Sequence, residues 1–174
     1  MLTLVVGGAG SGKSAYAEHL IERSDAARRV YLATMEPFGF EARQRIEKHR
    51  AMRENKGFVT VERFTDLSGL TLPPDSAVLL EDMGNLCANE LFSPHGAGEN
   101  AAEAILRGVA CLHAQCRELV IVSNEVFTGG TDYLGESEAY LSLLSYVNRK
   151  IAKTAERVCE VSGGIATDYK GEET

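Results

Sequence analysis

Apolar and polar positions along this chain follow two periods: short continuous runs of strand length, and longer stretches with helical spacing. Leu2-Thr3-Leu4-Val5-Val6 is the first apolar run, and Ala15 to Arg23 reads as a helix. Arg29 to Thr34, rich in β-branched and aromatic residues, predicts a second buried strand that ends in a turn around Pro37-Phe38-Gly39. Glu41 to Asn55 is helical and strongly charged, and Phe58 to Glu62 alternates as an edge strand does. After the turn at Pro73-Pro74-Asp75, Ser76 to Asp82 forms an apolar strand closed by two carboxylates. A short helix from Asn85 to Phe92, a loop from Ser93 to Gly98 and a helix from Glu99 or Asn100 to Cys116 follow. Leu119 to Ser123 is another continuous apolar strand, followed by a glycine-bearing loop from Phe127 to Asp132. Helical spacing returns from Glu136 to Glu156 through Leu141, Leu144, Val147, Ile151 and Ala155. Val158 to Val161 and Ile165 to Thr167 make the last strands, and the polar tail from Lys170 is expected to fray.

Strands alternating with helices predict an α/β fold with a mostly parallel sheet flanked by helices. A chain of 174 residues corresponds to one domain, spanning 1–174. In such sheets ligands collect at the carboxyl ends of the strands. That edge gathers the end of the first strand, the turn after Thr34, Glu81 with Asp82, and Asn124 with Glu125, so one composite site is expected.

The first of these strand ends carries the most specific chemistry. Gly7-Gly8-Ala9-Gly10-Ser11-Gly12-Lys13-Ser14 completes the pattern G-x-x-x-x-G-K-[ST] between a strand and a helix, the context of a P-loop. Its glycines let the backbone approach a polyphosphate closely. Successive N–H groups then form an anion nest at the positive end of the helix. Lys13 reaches the β- and γ-phosphates as a point charge, and the Ser14 hydroxyl ligates Mg²⁺. The P-loop NTPase-like fold follows, with nucleoside triphosphate as ligand.

Glu81 and Asp82, at the end of an apolar strand, occupy the kind of position from which a carboxylate lies beside the bound Mg²⁺. Glu81 alternatively accepts hydrogen bonds from the base or ribose of the bound nucleotide. On the charged helix, Arg45, His49 and Arg53 recur every fourth residue and share one face. A histidine nucleophile must be neutral near pH 7, which imidazole's pKa of about 6.5 allows. Arg45, Arg50 and Arg53 offer charge to a phosphate, and a solvated basic face without special function is the competing reading.

Composition narrows the field further. The chain is 44% apolar and 25% charged, an ordinary globular balance, and its net charge of −7 argues against nucleic acid as the main partner. No apolar run approaches the ~18 residues of a membrane span, and the opening residues lack a charged n-region, so the cytosol is the expected compartment. The four cysteines (Cys87, Cys111, Cys116, Cys159) form no C-x-x-C pair, and are read as reduced residues, mostly of the core.

Several runs occur in a particular order: the P-loop, Tyr31-Leu32-Ala33-Thr34, Arg45-Ile46-x-x-His49-Arg50, Leu79-Leu80-Glu81, Ser123-Asn124-Glu125-Val126, Asn148 and Ala155-Glu156-Arg157-Val158. Together they make the whole chain resemble the bifunctional adenosylcobinamide kinase / adenosylcobinamide-phosphate guanylyltransferase family of cobalamin biosynthesis. The resemblance implies two reactions. ATP or GTP phosphorylates the aminopropanol hydroxyl of adenosylcobinamide; GTP then gives GMP to a histidine, which falls on His49, and the new phosphate takes GMP to form adenosylcobinamide-GDP. It also implies Mg²⁺, a corrinoid substrate, and a homo-oligomer for which a trimer is one option. Lys13 and His49 are the catalytic candidates; Gly7 to Ser14, Thr34, Arg50, Arg53 and Glu81 are the nucleotide-binding candidates; and Ser14, Glu81 and Asp82 are the metal candidates.

The chain departs from the family pattern in three segments. Arg53 is followed by Glu54-Asn55-Lys56-Gly57 in place of Arg-Pro and a nearby tryptophan. Phe127 to Asp132 replaces a Gly-x-Gly-Ile-Val-Pro run, and Ala139 to Tyr146 replaces an arginine-rich stretch. A cobinamide kinase lacking or altered in guanylyl transfer, another P-loop kinase of small metabolites, and a nucleotide-dependent switch are the competing functions.

Overall fold

The computed structural model describes residues 1–37, 39–53, 55–125 and 136–172; among these, the side chains of Glu41, Ala42, Arg45, Lys48, His49, Met52 and Glu136 are not described. The expected loop from Phe127 to Asp132 lies outside the described residues. Seven strands form one sheet: β1 (Leu2–Gly7), β2 (Arg28–Ala33), β3 (Phe58–Glu62), β4 (Ser76–Glu81), β5 (Glu118–Asn124), β6 (Arg157–Ser162) and β7 (Ile165–Lys170). The helices are α1 (Lys13–Glu22), α2 (Gly39–Arg53), α3 (Met83–Phe92), α4 (Ala101–Gln115) and α5 (Glu136–Thr154).

The strand order is β3-β2-β4-β5-β1-β6-β7. Every pairing is parallel except β6 with β7, which closes one edge as an antiparallel hairpin. β3 lies at the opposite edge, as its alternating pattern predicts. The connection from β1 to β2 passes over the places later filled by β5 and β4, so the strand ends line up in an order unrelated to the sequence.

Both faces of the sheet are covered, which is why its central strands are almost wholly apolar. Successive residues serve opposite layers. Val78 and Leu80 of β4 join Leu4, Leu32 and Ile121 in a core under α3, α4 and α5, with Leu86, Ile105, Leu112 and Leu144. Ala77 and Leu79 face the other way with Val5, Val120 and Val122, where α1 contributes Ala17 and Ile21.

Several boundaries differ from the sequence expectation. α1 begins at Lys13 rather than Ala15, so the P-loop lysine and serine form the helix's first turn. β4 stops at Glu81, and Asp82 becomes the N-cap of α3, its side chain accepting from the Asn85 N–H at 2.7 Å. α3 therefore starts at Met83 instead of Asn85; the aspartate is a stronger capping signal than the glycine that follows it. At the other end, β7 runs on to Lys170, whose ammonium donates to the carbonyls of Ala152 and Lys153, so the tail is tied down further than composition suggests. The four cysteines are free thiols; Cys87 and Cys159 are buried, and Cys111 and Cys116 are half-buried.

Candidate nucleotide site

The P-loop is held from behind. Gly12, with φ of 93°, sits in the left-handed region at the start of α1, and a Cβ there would come 3.2 Å from the Gly164 Cα in the β6–β7 turn. The Gly164 N–H donates to the Ser11 carbonyl at 2.8 Å, bracing the loop against that hairpin. Gly7 is equally confined, since a Cβ would meet the Val161 carbonyl oxygen at 2.5 Å. The N-cap of α1 is Gly12, which has no side chain to offer, so the first N–H groups of the helix are left to an anion. Lys13 is 9% exposed, and its ammonium donates to the Gly8 carbonyl at 3.0 Å, so the cation already lies along the loop.

Register places the remaining groups beside this loop. Gly7 is opposite Asn124 across β1 and β5, Ala33 is opposite Glu81 across β2 and β4, and Ala33 is opposite Glu62 across β2 and β3. Loop, amide and two carboxylates thus form one row along the carboxyl edge. They line a cavity of about 330 Å³ together with Tyr31, Val122 and, from α2, Ile46, Arg50 and Arg53. Its size lies at the lower end of the range of small-molecule sites.

Tyr31 organises the far half of the cavity. Its hydroxyl donates to Glu81 Oε2 at 3.1 Å, while the Arg53 guanidinium stacks 3.3 Å from its ring centroid. Phe58 packs edge-on to the same ring at 6.3 Å. Burial, with Glu81's charge, pushes the Tyr31 phenol far above its ordinary range, so it remains a donor at any working pH. Arg53 is only 5% exposed, and its Nε and Nη1 have no hydrogen-bond partner among the described residues. Such donors are costly to bury unless something anionic meets them.

The other candidates take distinct places. Ser14, Glu81 and Asp82 line the cavity together and supply only oxygen donors, a set that suits Mg²⁺, which binds through one or two carboxylates plus substrate phosphates. Thr34 is fully buried: its N–H donates to the Glu81 carbonyl and its hydroxyl to that of Asp82, at 3.2 and 2.8 Å. It therefore acts on the site through those two residues. Gly8, Ser11 and Gly12 shape the loop, whereas Ala9 and Gly10 reach the cavity directly. Arg50 is exposed at the rim, 3.8 Å from Glu62. His49 falls within α2, and its side chain is not among those described.

Sequence reasoning used Tyr31 as a strand residue and as part of a family motif, with no role in the site, and gave Glu62 no role. The Tyr31–Arg53 stack joins residues 22 positions apart, for which the sequence carries no periodic signal. Tyr140, within one of the departing segments, packs beside the start of α3: its hydroxyl would lie 2.9 Å from a Cβ on Gly84. Burial and the neighbouring Asp82 charge push its phenol up to about 12.

A P-loop at the end of a central strand, a carboxylate two strands away and a parallel sheet covered by helices define the class of P-loop NTPases. A solved structure shares the arrangement: an ATPase from the type III secretion system of pathogenic bacteria superposes with a TM-score of 0.55 at 8% identity, over 97% of this chain and 56% of that one. Within this class, residues 3–169 match the family described as cobinamide kinase / cobinamide phosphate guanyltransferase, and the chain belongs to that family. It is 33% identical to the bifunctional adenosylcobalamin biosynthesis protein CobU of Escherichia coli (strain K12), over 98% of this chain and all of that protein. To the corresponding protein CobP of Pseudomonas aeruginosa it is 32% identical, over 99% of both chains.

Proposed function

We propose that this chain performs both reactions on one nucleotide site. In the first, the aminopropanol hydroxyl oxygen of adenosylcobinamide attacks the γ-phosphorus of ATP or GTP, and the nucleoside diphosphate leaves. In the second, a His49 ring nitrogen attacks the α-phosphorus of GTP and pyrophosphate leaves. An oxygen of adenosylcobinamide phosphate then attacks the same phosphorus, releasing His49 and giving adenosylcobinamide-GDP. Covalent catalysis of this kind divides one difficult displacement into two easier ones.

One observation carries the proposal: the P-loop and α2 open onto the same cavity. His49 lies four positions before Arg53 in α2, a spacing at which residues share a helix face. Positioning and charge stabilisation are nearly all that phosphoryl transfer asks of a protein. Lys13 and the N-terminus of α1 supply them for the β- and γ-phosphates. Arg53, stacked on Tyr31 with Nε and Nη1 unpartnered among the described residues, supplies a second cation, and Arg50 a third at the rim. Mg²⁺, held by Ser14 with Glu81 or Asp82, neutralises charge on the triphosphate when bound. Glu81 accepts from Tyr31, which fixes its carboxylate for a metal water or a guanine edge.

The whole of residues 1–174 is read as one nucleotide-binding domain that works in the cytosol and assembles as a homo-oligomer. The segments from Phe127 to Asp132 and from Ala139 to Tyr146 favour a second reading, a cobinamide kinase with altered guanylyl transfer.

Incubation with Mg²⁺ and α-³²P-GTP, followed by denaturation, separates the two. An acid-labile label on the unmutated chain that His49→Ala abolishes is the result expected. Phosphorylation of cobinamide without any such label would leave the kinase alone.

A further inference from the structure

Lys56 lies outside the cavity, yet it joins the two helices that form its walls. Its ammonium sits 2.6 Å from Glu18 Oε2 and 3.4 Å from Glu22 Oε1, both on α1. Its N–H donates to the Arg53 carbonyl at 3.0 Å, closing the end of α2. Arg29 completes the junction: Nη1 donates to the Lys56 carbonyl at 3.2 Å and Nη2 to the Glu22 carbonyl at 2.6 Å.

The burial of Glu18 makes this more than a surface pair. It is 2% exposed, one helical turn beyond Ser14, while an exposed salt bridge contributes little. A buried carboxylate needs a partner, but an apolar pair of similar volume would stabilise the fold as well or better. What an ion pair adds over an apolar one is fixed direction and distance. Here it sets α1, which begins with the phosphate-gripping Lys13 and Ser14, against the end of α2, which carries Arg53 and His49. The Glu18 hydrogen bond, chiefly, raises the Lys56 pKa above its ordinary value, so the ammonium keeps its charge throughout the physiological range.

We propose that Lys56, through Glu18 and Glu22 on α1, is a positioning residue for guanylyl transfer, holding the end of α2 in register with the P-loop. The inference rests on the reading that GMP is carried on α2. It belongs to one of the segments in which this chain departs from the family pattern, the Glu54-Asn55-Lys56-Gly57 run.

The two half-reactions give the test. The full chain, Lys56→Met and the double variant Glu18→Gln/Lys56→Met are compared for ³²P labelling by α-³²P-GTP, for cobinamide phosphorylation, and for thermal unfolding. Misplacing a reacting group by ~1 Å costs roughly 100-fold. Lys56→Met is therefore expected to slow labelling by ten- to a hundred-fold, on the order of that penalty, and phosphorylation, in which Lys13 and the N-terminus of α1 grip the transferred phosphate and no group on α2 is attacked, by less than about threefold. The double variant removes the stranded carboxylate, so it regains thermal stability while labelling stays slow. Equal losses in both reactions, no loss in either, or labelling restored in the double variant would each overturn the clasp as a positioning device. An unmutated chain that takes no label would sink the guanylyl-transfer reading instead. The clasp would then be judged on affinity for a fluorescent GTP analogue, which Lys56→Met lowers about tenfold if Arg53 depends on it and leaves unchanged if it does not.

Discussion

Tyr31 holds Arg53 by its face and Glu81 by its hydroxyl, with the guanidinium 3.3 Å from the ring centroid and the carboxylate oxygen 3.1 Å from Oη. One aromatic side chain thus sets the spacing of a cation and an anion across the cavity. Tyr31→Phe keeps the stack and releases Glu81. Loss of one hydrogen bond to a charged acceptor, about 1.5–3 kcal/mol, predicts GTP binding weakened by roughly ten- to a hundred-fold if Glu81 touches the nucleotide. Isothermal titration of the variant reads this directly; unchanged affinity would remove Glu81 from the nucleotide contacts.

Arg53→Met separates binding from stability. The variant fills the space over Tyr31 but removes a buried cation whose Nε and Nη1 lack partners among the described residues. Replacing a buried charge by an apolar group of similar volume is often neutral or stabilising. The melting temperature should therefore hold or rise, while GTP affinity falls by about tenfold or more through loss of charge-assisted hydrogen bonds. A large fall in melting temperature would mean that Arg53 supports the fold instead.

Lys13→Ala tests the loop. The ammonium is the side-chain cation of the P-loop and rests on the Gly8 carbonyl. Removing one charge-stabilising donor of this type typically costs about 10²–10³ in turnover. Cobinamide phosphorylation should fall by that amount with the circular dichroism spectrum unchanged.

Gly12→Ala isolates the backbone. At φ of 93° the alanine is forced into a region that L residues rarely adopt, and its Cβ meets the Gly164 Cα. The expected cost is about 1–3 kcal/mol of folding free energy, measurable by urea titration. Nucleotide affinity should fall as well, because the strain is relieved only by moving the loop away from the hairpin.

Acid stability should depend on Glu156. Its carboxylate accepts the Leu2 N–H at 2.6 Å, and that backbone hydrogen bond, chiefly, holds its pKa below the ordinary carboxylate value. A group with a depressed folded pKa stabilises above its unfolded value, near 4.3, and that contribution disappears as pH falls through the lower folded one. Glu156→Gln should therefore flatten the fall of melting temperature below about pH 4.5. It should leave the curve near pH 7 merely displaced.

The elements and the loop were legible in the linear order of residues. Strand runs at β1, β4 and β5 are continuous and apolar because both sheet faces are covered, and the P-loop stands out because phosphate binding constrains consecutive residues. Local chemistry of that kind survives in a one-dimensional pattern. The ordered motifs were enough to point to the family, since they span the whole chain.

Which side chains meet was settled later, in three dimensions. Strand order carries β4 next to β2 and places Ala33 between Glu81 and Glu62, through crossovers that leave no mark on local periodicity. Arg53 was legible as a basic candidate on one helix face with Arg45 and His49, but its burial over Tyr31, with two donors unpartnered among the described residues, came only with the fold. Lys56 likewise reads as a turn residue until α1 presents a buried carboxylate to it. Propensity and periodicity report each residue's neighbours along the chain. Partners across the sheet are chosen by packing, which acts only after the chain has folded.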